Sequence, residues 1–318
     1  MTTLLVADIG GTNSRFAAFR AGPDGGLTMG ESEWLKTTAV GSFPELLDRL
    51  WAGDFPLAPG DVDMAVFAVA GPIRKKVYCS PPNIDWDIDA SDSRRRFGLP
   101  AIHLINDFAA QAYACRTPAV ADAETLQAGE ANPEGAVAVI GAGTGLGHCA
   151  LMPVGRVGFT AIPSEAGHAA FPFVGEREEA YGAFLRKRLG TAYAIGDHVV
   201  SGRGLALAHE FLTGETLSPA EVAAKLRSGV ETLEWFARFY GRAARNYALY
   251  VLSTGGLYVA GGVAAKNREI VRHPAFLDEF RLSENHAELL AAMPVSLNAN
   301  ESSGLYGAAF YGLLALSD

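Results

Sequence analysis

"LLVADIGGTNSRFAAFR", residues 4–20, decides how the rest of this chain is read. An apolar run ends at Asp8, two glycines and Thr12 follow, and a second apolar run extends from about Arg15 to Arg20. That punctuation predicts a β-hairpin with a glycine-rich tip. The layout returns at Val137 in "VAVIGAGTGLGHCALMPV", where a Gly-Thr-Gly turn separates two apolar runs. A third glycine turn, in "LYVAGGVAAK" from Leu257, follows another apolar run and is expected to open a helix. Glycine tips let the backbone approach a ligand closely and aim N–H groups at an anion. Turn geometry alone accounts for any one of them. Three in one chain, two with matching surroundings, point to a bound phosphate.

Several phosphate-binding solutions are excluded by the same residues. The chain has no GxxxxGK[ST], so a P-loop has no support. "GAGTGLG" is not GxGxxG, and the "HCALMPV" after it reads as a strand where a dinucleotide fold needs a helix. The protein-kinase signature set is missing as well. What remains is a hairpin tip used twice, with nucleotide phosphates held between two similar α/β halves.

Composition sets the outer bounds. At 318 residues the chain has room for two modest domains and a large core. Its 49% hydrophobic and 19% charged content is that of a globular protein. With 26 Lys and Arg against 35 Asp and Glu, the net charge is −9, which disfavours nucleic-acid and anionic-membrane partners. A small anion is still admissible, because a few N–H groups suffice to hold it. The N-terminal "MTTLLVADIGG" has no basic n-region, so no signal peptide is expected. No apolar stretch is long enough to span a membrane. Cys79, Cys115 and Cys149 are isolated and form no CxxC pair, which argues against a disulfide framework or structural zinc. A reduced, cytoplasmic enzyme is the expectation.

The candidate chemistry centres on "HLINDFAAQAYACR", residues 103–116, where an apolar run stops and an Ala-rich helix starts. Asn106 and Asp107 both suit an N-cap. The two roles are compatible: Asn106 can cap while Asp107 supplies a carboxylate for chemistry.

The ordered set "VADIGGTNSRF", "AVAGPI" (68–73), "LINDF", "GAGTGLG", "EAGH" (165–168), "SGRGL" (201–205) and "VAGG" (259–262) resembles the bacterial ATP-dependent glucokinases. These belong to the hexokinase, actin and heat-shock chaperone superfamily, outside the ROK branch. The resemblance runs from Leu4 to the C-terminal "SSGLYGAAFYG". It implies two ribonuclease-H-like α/β domains flanking a cleft, with ATP and Mg²⁺ as cofactors and glucose or a similar hexose as substrate. Asp8 would sit near the Mg²⁺ of the metal–nucleotide complex, through water, with Gly10, Gly11 and Thr12 close to the transferred phosphate. Gly143, Thr144 and Gly145 would contact the β-phosphate side, and Gly261 and Gly262 would lie against the adenosine. Asn83, Asn106, Asp107, Glu165 and His168 match hexose ligands, with Asp107 the catalytic base. A further sugar-contacting Glu of the family falls on Asp197, one methylene shorter.

Those residue types suit the task without the family name. A sugar offers a ring of uncharged hydroxyls, and acceptors with two-faced amides read their stereochemistry better than an apolar pocket does. Phosphoryl transfer requires an oxygen held in line and negative charge neutralised.

Besides Asp197, the chain departs from the family in three places. Ser164 and Ala166 stand where many members have glycine, and Pro82 stands where Thr is usual. The Cys-rich zinc motif of the ROK kinases and repressors is missing too, and no helix-turn-helix precedes Leu4.

The expected small domain comprises 1–106 plus 302–318, and the large domain 107–301. A C-terminal helix over about Ser302–Leu316 would pack Leu305, Ala308, Ala309 and Leu313 onto a sheet. In the amphipathic "ETLEWFARFYGRAARNYALYVL", Trp235, Phe236, Phe239 and Tyr240 read as core or dimer contacts. A homodimer is the assembly that the resemblance implies. A kinase for mannose, fructose or N-acetylglucosamine is the alternative within enzymes. A non-catalytic nucleotide-binding sugar sensor and an actin-like filament protein are the alternatives outside them.

Overall fold

The computed structural model describes residues 1–155, 158–226 and 229–317. The chain divides into two compact units, Met1–Ala121 with Gly155–Ala161 and Asn300–Asp318, and Asp122–Val154 with Ile162–Ala299. The first unit extends past the Asn106 boundary expected from sequence, because the helix Asp107–Ala114 packs along the C-terminal helix Ser303–Ser317.

In the first unit, β1 (Thr2–Ile9), β2 (Asn13–Ala21), β3 (Leu27–Lys36), β4 (Met64–Val69) and β7 (Ile102–Asn106) form one sheet in the order β3-β2-β1-β4-β7. β1 to β3 run as an antiparallel meander, whereas β4 and β7 lie parallel to β1. A separate two-stranded ribbon joins β5 (Tyr78–Cys79) and β6 (Ile88–Asp89).

The sequence of β1 shows why both faces of this sheet are covered. Leu5, Ala7 and Ile9 alternate with Leu4 and Val6, and all are buried. The first set packs with Phe43, Leu46, Leu47 and Leu50 of the helix Phe43–Ala52. The second packs with Leu305, Ala308 and Ala309 of the C-terminal helix, as expected from its spacing. Each such Leu or Phe contributes roughly 1.5–3 kcal/mol by leaving water. Asp8 is next on the face that carries Leu4 and Val6, so alternation aims it at the start of the C-terminal helix.

The second sheet is built from β8 (Glu124–Gln127), β9 (Val137–Ala142), β10 (Leu146–Val154), β11 (Gly158–Ser164), β12 (Gly256–Ala260) and β13 (Val295–Leu297). Its order is β11-β10-β9-β12-β13-β8. β9 and β10 form an antiparallel hairpin, and β12 and β13 run parallel to β9. The first sheet's order is thus repeated, with β8 added antiparallel at the edge. The two glycine hairpins noted in the sequence occupy equivalent places in the two sheets.

The core of the second unit gathers around the helix Glu231–Val251. Trp235, Phe236, Phe239 and Tyr240 are all buried in it, which makes them core residues. Arg242 of the same helix is 2% exposed and is held by Glu178 and Glu279.

Candidate active site

The parallel strands β1, β4 and β7 end side by side, with Ile9 opposite Val69 and Val69 opposite Asn106. In α/β sheets this carboxyl edge is where ligands bind, because the strands stop and the following turns can splay open. The first unit places Asp8, the Gly10–Thr12 tip, Asn106 and Asp107 along that edge. The tip is a tight turn closed by the Gly10 N–H donating to the Asn13 carbonyl at 3.1 Å. Asn83 is brought to the same edge by a loop. A Cβ on Gly11 would lie 2.6 Å from the Asn83 carbonyl oxygen and 2.9 Å from its Cβ, so only glycine lets the two segments touch.

Asn106 is the N-cap of the helix Asp107–Ala114. Its Oδ1 accepts from the N–H groups of Phe108 at 3.0 Å and Ala109 at 3.2 Å. The Asn106 side-chain oxygen is therefore spent on the helix, and the amide nitrogen, 3.5 Å from the Gly71 carbonyl, is the group left to offer a hydrogen bond. Asp107 opens the helix half-exposed, with Oδ1 accepting from the Phe108 N–H at 3.0 Å.

Asp8 and Asp107 feel each other electrostatically. Asp8 is exposed at the end of β1. Desolvation first, and then the charge of Asp107, raise its pKa to about 6, against the opposing pull of Arg15. Arg15 is the cross-strand partner of Asp8 and reaches Ser302 Oγ at 3.1 Å. Two neighbouring carboxylates with one guanidinium to offset them form a place where an added cation would be welcome. Among the described residues no cluster of three or more His, Cys, Asp or Glu is arranged to hold a metal. A metal here would have to be shared with ligand oxygens, as Mg²⁺ bound to nucleotide phosphates is.

Gln111 was missed by sequence reasoning. A Cβ on Gly304 would fall 3.4 Å from its Nε2 and 3.7 Å from Asp8 Oδ2, so amide and carboxylate share one locality. The available signal was spacing, since Gln111 lies four residues after Asp107 on one helix face. Arg15 had a similar signal in the hairpin register opposite Asp8.

The second unit repeats the edge arrangement. β9 ends at Ala142 and β12 at Ala260, with Gly141 opposite Ala260. The turn at Gly143–Gly145 is closed by the Gly143 N–H donating to the Gly145 carbonyl at 2.8 Å. Thr144 at its tip is exposed. Gly261 has φ +82, and a Cβ there would stand 2.6 Å from the Ala142 carbonyl, so both backbone conformation and space demand glycine. At Gly143 and Gly262, by contrast, a Cβ would meet nothing within 4 Å. The protein's own packing does not require glycine at these two positions, which leaves that space to a ligand. As the sequence suggested, β12 leads through Gly261 into a helix, Gly262–Lys266.

Tyr240 underlies this edge. Its hydroxyl accepts from the Ala142 N–H at 3.0 Å and donates to the Ala260 carbonyl at 3.3 Å, tying the two strand ends together. Nothing in the sequence distinguished it from the other core aromatics.

Glu165 and His168 flank a single helical turn, Ala166–His168, and their side chains project together, 3.6 Å apart and 71% and 64% exposed. Ser164, at a position where the family often has glycine, accepts from the Ala166 N–H at 3.2 Å and so holds the loop by its side chain. Asp197 Oδ1 accepts from the Leu146 N–H at 2.8 Å, directly after the glycine tip.

A family model described as Glucokinase matches residues 5–314. The glucokinase of Nostoc punctiforme is 31% identical over 341 residues, covering 97% of this chain and 98% of that protein. The glucokinase of Pseudomonas paraeruginosa is 32% identical over 315 residues, covering 96% and 90% respectively. Among solved structures, a glucokinase from an Antarctic psychrotroph superimposes with a TM-score of 0.85 at 26% identity, covering 98% of each chain. A ROK hexokinase from Thermus thermophilus, 18% identical with a TM-score of 0.69, shares the fold over the full length of both chains. The chain belongs to the glucokinase family.

Proposed function

We propose that this chain transfers the γ-phosphoryl group of ATP to the 6-hydroxyl of glucose, giving glucose 6-phosphate and ADP, with Asp107 as the base. The observation that carries this reading is the division of labour in "LINDF": Asn106 caps the helix, and Asp107 stays half-exposed at the strand edge beside Asp8. Because Asn106 already serves as the N-cap, the cap itself does not require the Asp107 carboxylate. Asp107 accepts the hydroxyl proton as the sugar oxygen attacks phosphorus, and the bond to the ADP oxygen breaks. Asn83, the amide nitrogen of Asn106, Glu165 and His168 are the proposed hydroxyl ligands. The N–H groups of Gly11 and Thr12, and of Thr144 and Gly145, which do not close the two turns, would meet phosphate oxygens, and Gly261 and Gly262 would make room for the adenosine. Asp8 would hold the magnesium ion of the nucleotide through water, and that ion supplies charge neutralisation at the phosphates. Activity in the cytoplasm fits three cysteines that are all buried and in no disulfide. No helix among the described residues is long and apolar enough to cross a membrane.

The engagement of Asp197 with backbone favours one second reading, a kinase of broader hexose range, because one of its two carboxylate oxygens is committed to the Leu146 N–H. A panel of glucose, mannose, fructose and N-acetylglucosamine, assayed for ADP release with ATP and Mg²⁺, separates the two. The proposal expects the largest kcat/KM on glucose. ADP release that no sugar stimulates would overturn it.

A further inference from the structure

Asp197 sits where three segments meet. Its Oδ1 accepts from the Leu146 N–H at 2.8 Å. A Cβ on Gly145 would lie 2.7 Å from its Oδ2, and one on Gly167 would lie 2.5 Å from its Oδ1. The carboxylate is therefore wedged between the 143–146 hairpin tip and the 165–168 loop. The same two segments also touch directly, since a Cβ on Gly167 would stand 2.1 Å from the Leu146 carbonyl oxygen. Behind the carboxylate, the Asp197 carbonyl accepts from Ser201 Oγ at 2.6 Å. Ser201 in turn caps the helix Gly202–Thr213 by accepting from the Gly204 N–H at 3.0 Å. That helix reaches back to the hairpin, where the Gly202 N–H donates to the Gly143 carbonyl at 2.9 Å.

We infer that Asp197 is a positioning residue for both substrates, bracing the nucleotide-side hairpin and the sugar-side loop against each other. The inference rests on the kinase reading for the roles of those two segments and goes beyond it in what Asp197 does. A carboxylate is suited to the task. Its charge strengthens the bond to a backbone N–H, and that bond fixes the residue following the phosphate-facing tip. A Cβ at Gly145 would displace the Asp197 carboxylate, and one at Gly167 would meet both that carboxylate and the Leu146 carbonyl. A side chain one methylene longer would have to carry its carboxylate away from the Leu146 N–H or shift the segments around it.

The test separates a brace from a sugar contact. Affinity for a non-hydrolysable ATP analogue with Mg²⁺ is measured by calorimetry in the absence of sugar, alongside KM for both substrates. For Asp197→Ala the brace predicts nucleotide binding weakened about tenfold without sugar, together with higher KM values for ATP and glucose. Asp197→Asn keeps an acceptor oxygen for Leu146 and should stay within about threefold of the parent protein. Asp197→Glu supplies a second discriminating readout that does not depend on the alanine variant folding. The brace predicts that both KM values rise, whereas a sugar ligand predicts a lower glucose KM and unchanged nucleotide binding. Unchanged nucleotide affinity in Asp197→Ala, or improved glucose KM in Asp197→Glu, overturns the inference. Failure of the unaltered protein to form ADP with any sugar would instead overturn the kinase reading, so the two failures are distinct.

Discussion

Asp8 shows at the level of one residue how a candidate site is costly to the free protein. Its pKa is raised to about 6 by desolvation and the neighbouring Asp107 charge, so the folded protein binds a proton there more tightly than the unfolded chain does. Charging the group therefore costs stability. The cost is absent below about pH 4 and fully expressed above about pH 6. Replacing Asp8 by Asn should raise Tm at about pH 8 and give no gain at about pH 4, while activity falls. Thermal melts at the two values check this, and an equal gain at both would contradict the electrostatic cause. The same coupling predicts that Arg15→Met moves the acid limb of the rate profile to higher pH, because Arg15 opposes the shift. The position of these candidate residues at strand ends was legible because Asp, Asn and Gly stand out there. Tyr240 and the bracing role of Asp197 were not, since a hydroxyl under two strand ends or a wedge between two loops leaves no periodic mark.

The glycine hairpins were the most legible elements, since period-2 apolar runs broken by glycine admit few other readings. The helix Asp107–Ala114 was legible at its start, through the Asn106 cap, but its packing partner was not. It lies against the C-terminal helix so closely that a Cβ on Gly307 would fall 1.7 Å from the Ala110 carbonyl oxygen. Contacts between residues so far apart in sequence are invisible to local pattern, and this one explains why the first unit continues beyond Asn106. Gly307→Ala should destabilise the protein by about 1–3 kcal/mol or more, measured by urea denaturation. A change below about 0.5 kcal/mol would mean that the two helices separate without cost.

Over the whole molecule, one sheet order occurs twice, and the matched hairpins at residues 4–20 and 137–154 anticipated this. The added edge strand β8 was not anticipated, because four residues of mixed polarity carry no signal of their own. Neither was the buried charge network of the second unit, in which Arg242 joins Glu178 and Glu279 across segments distant in sequence. Without Arg242, Glu178 keeps only Arg238 at 3.3 Å and Glu279 only Arg245 at 3.2 Å among the described residues, so two buried carboxylates are left partly compensated. Arg242→Met should therefore cost about 3–5 kcal/mol in chemical denaturation, and a loss under about 1 kcal/mol would show the network to be solvated.

The central claim is that the Asp107 carboxylate takes the proton of the attacking hydroxyl. Asp107→Asn keeps the shape and removes the basicity, so ADP release and calorimetric titration of glucose and of the ATP analogue on that one variant test it most directly. The account predicts both affinities within about tenfold of the parent protein and a kcat lower by about 100-fold or more. Ordinary affinities with kcat within about threefold of the parent would contradict it.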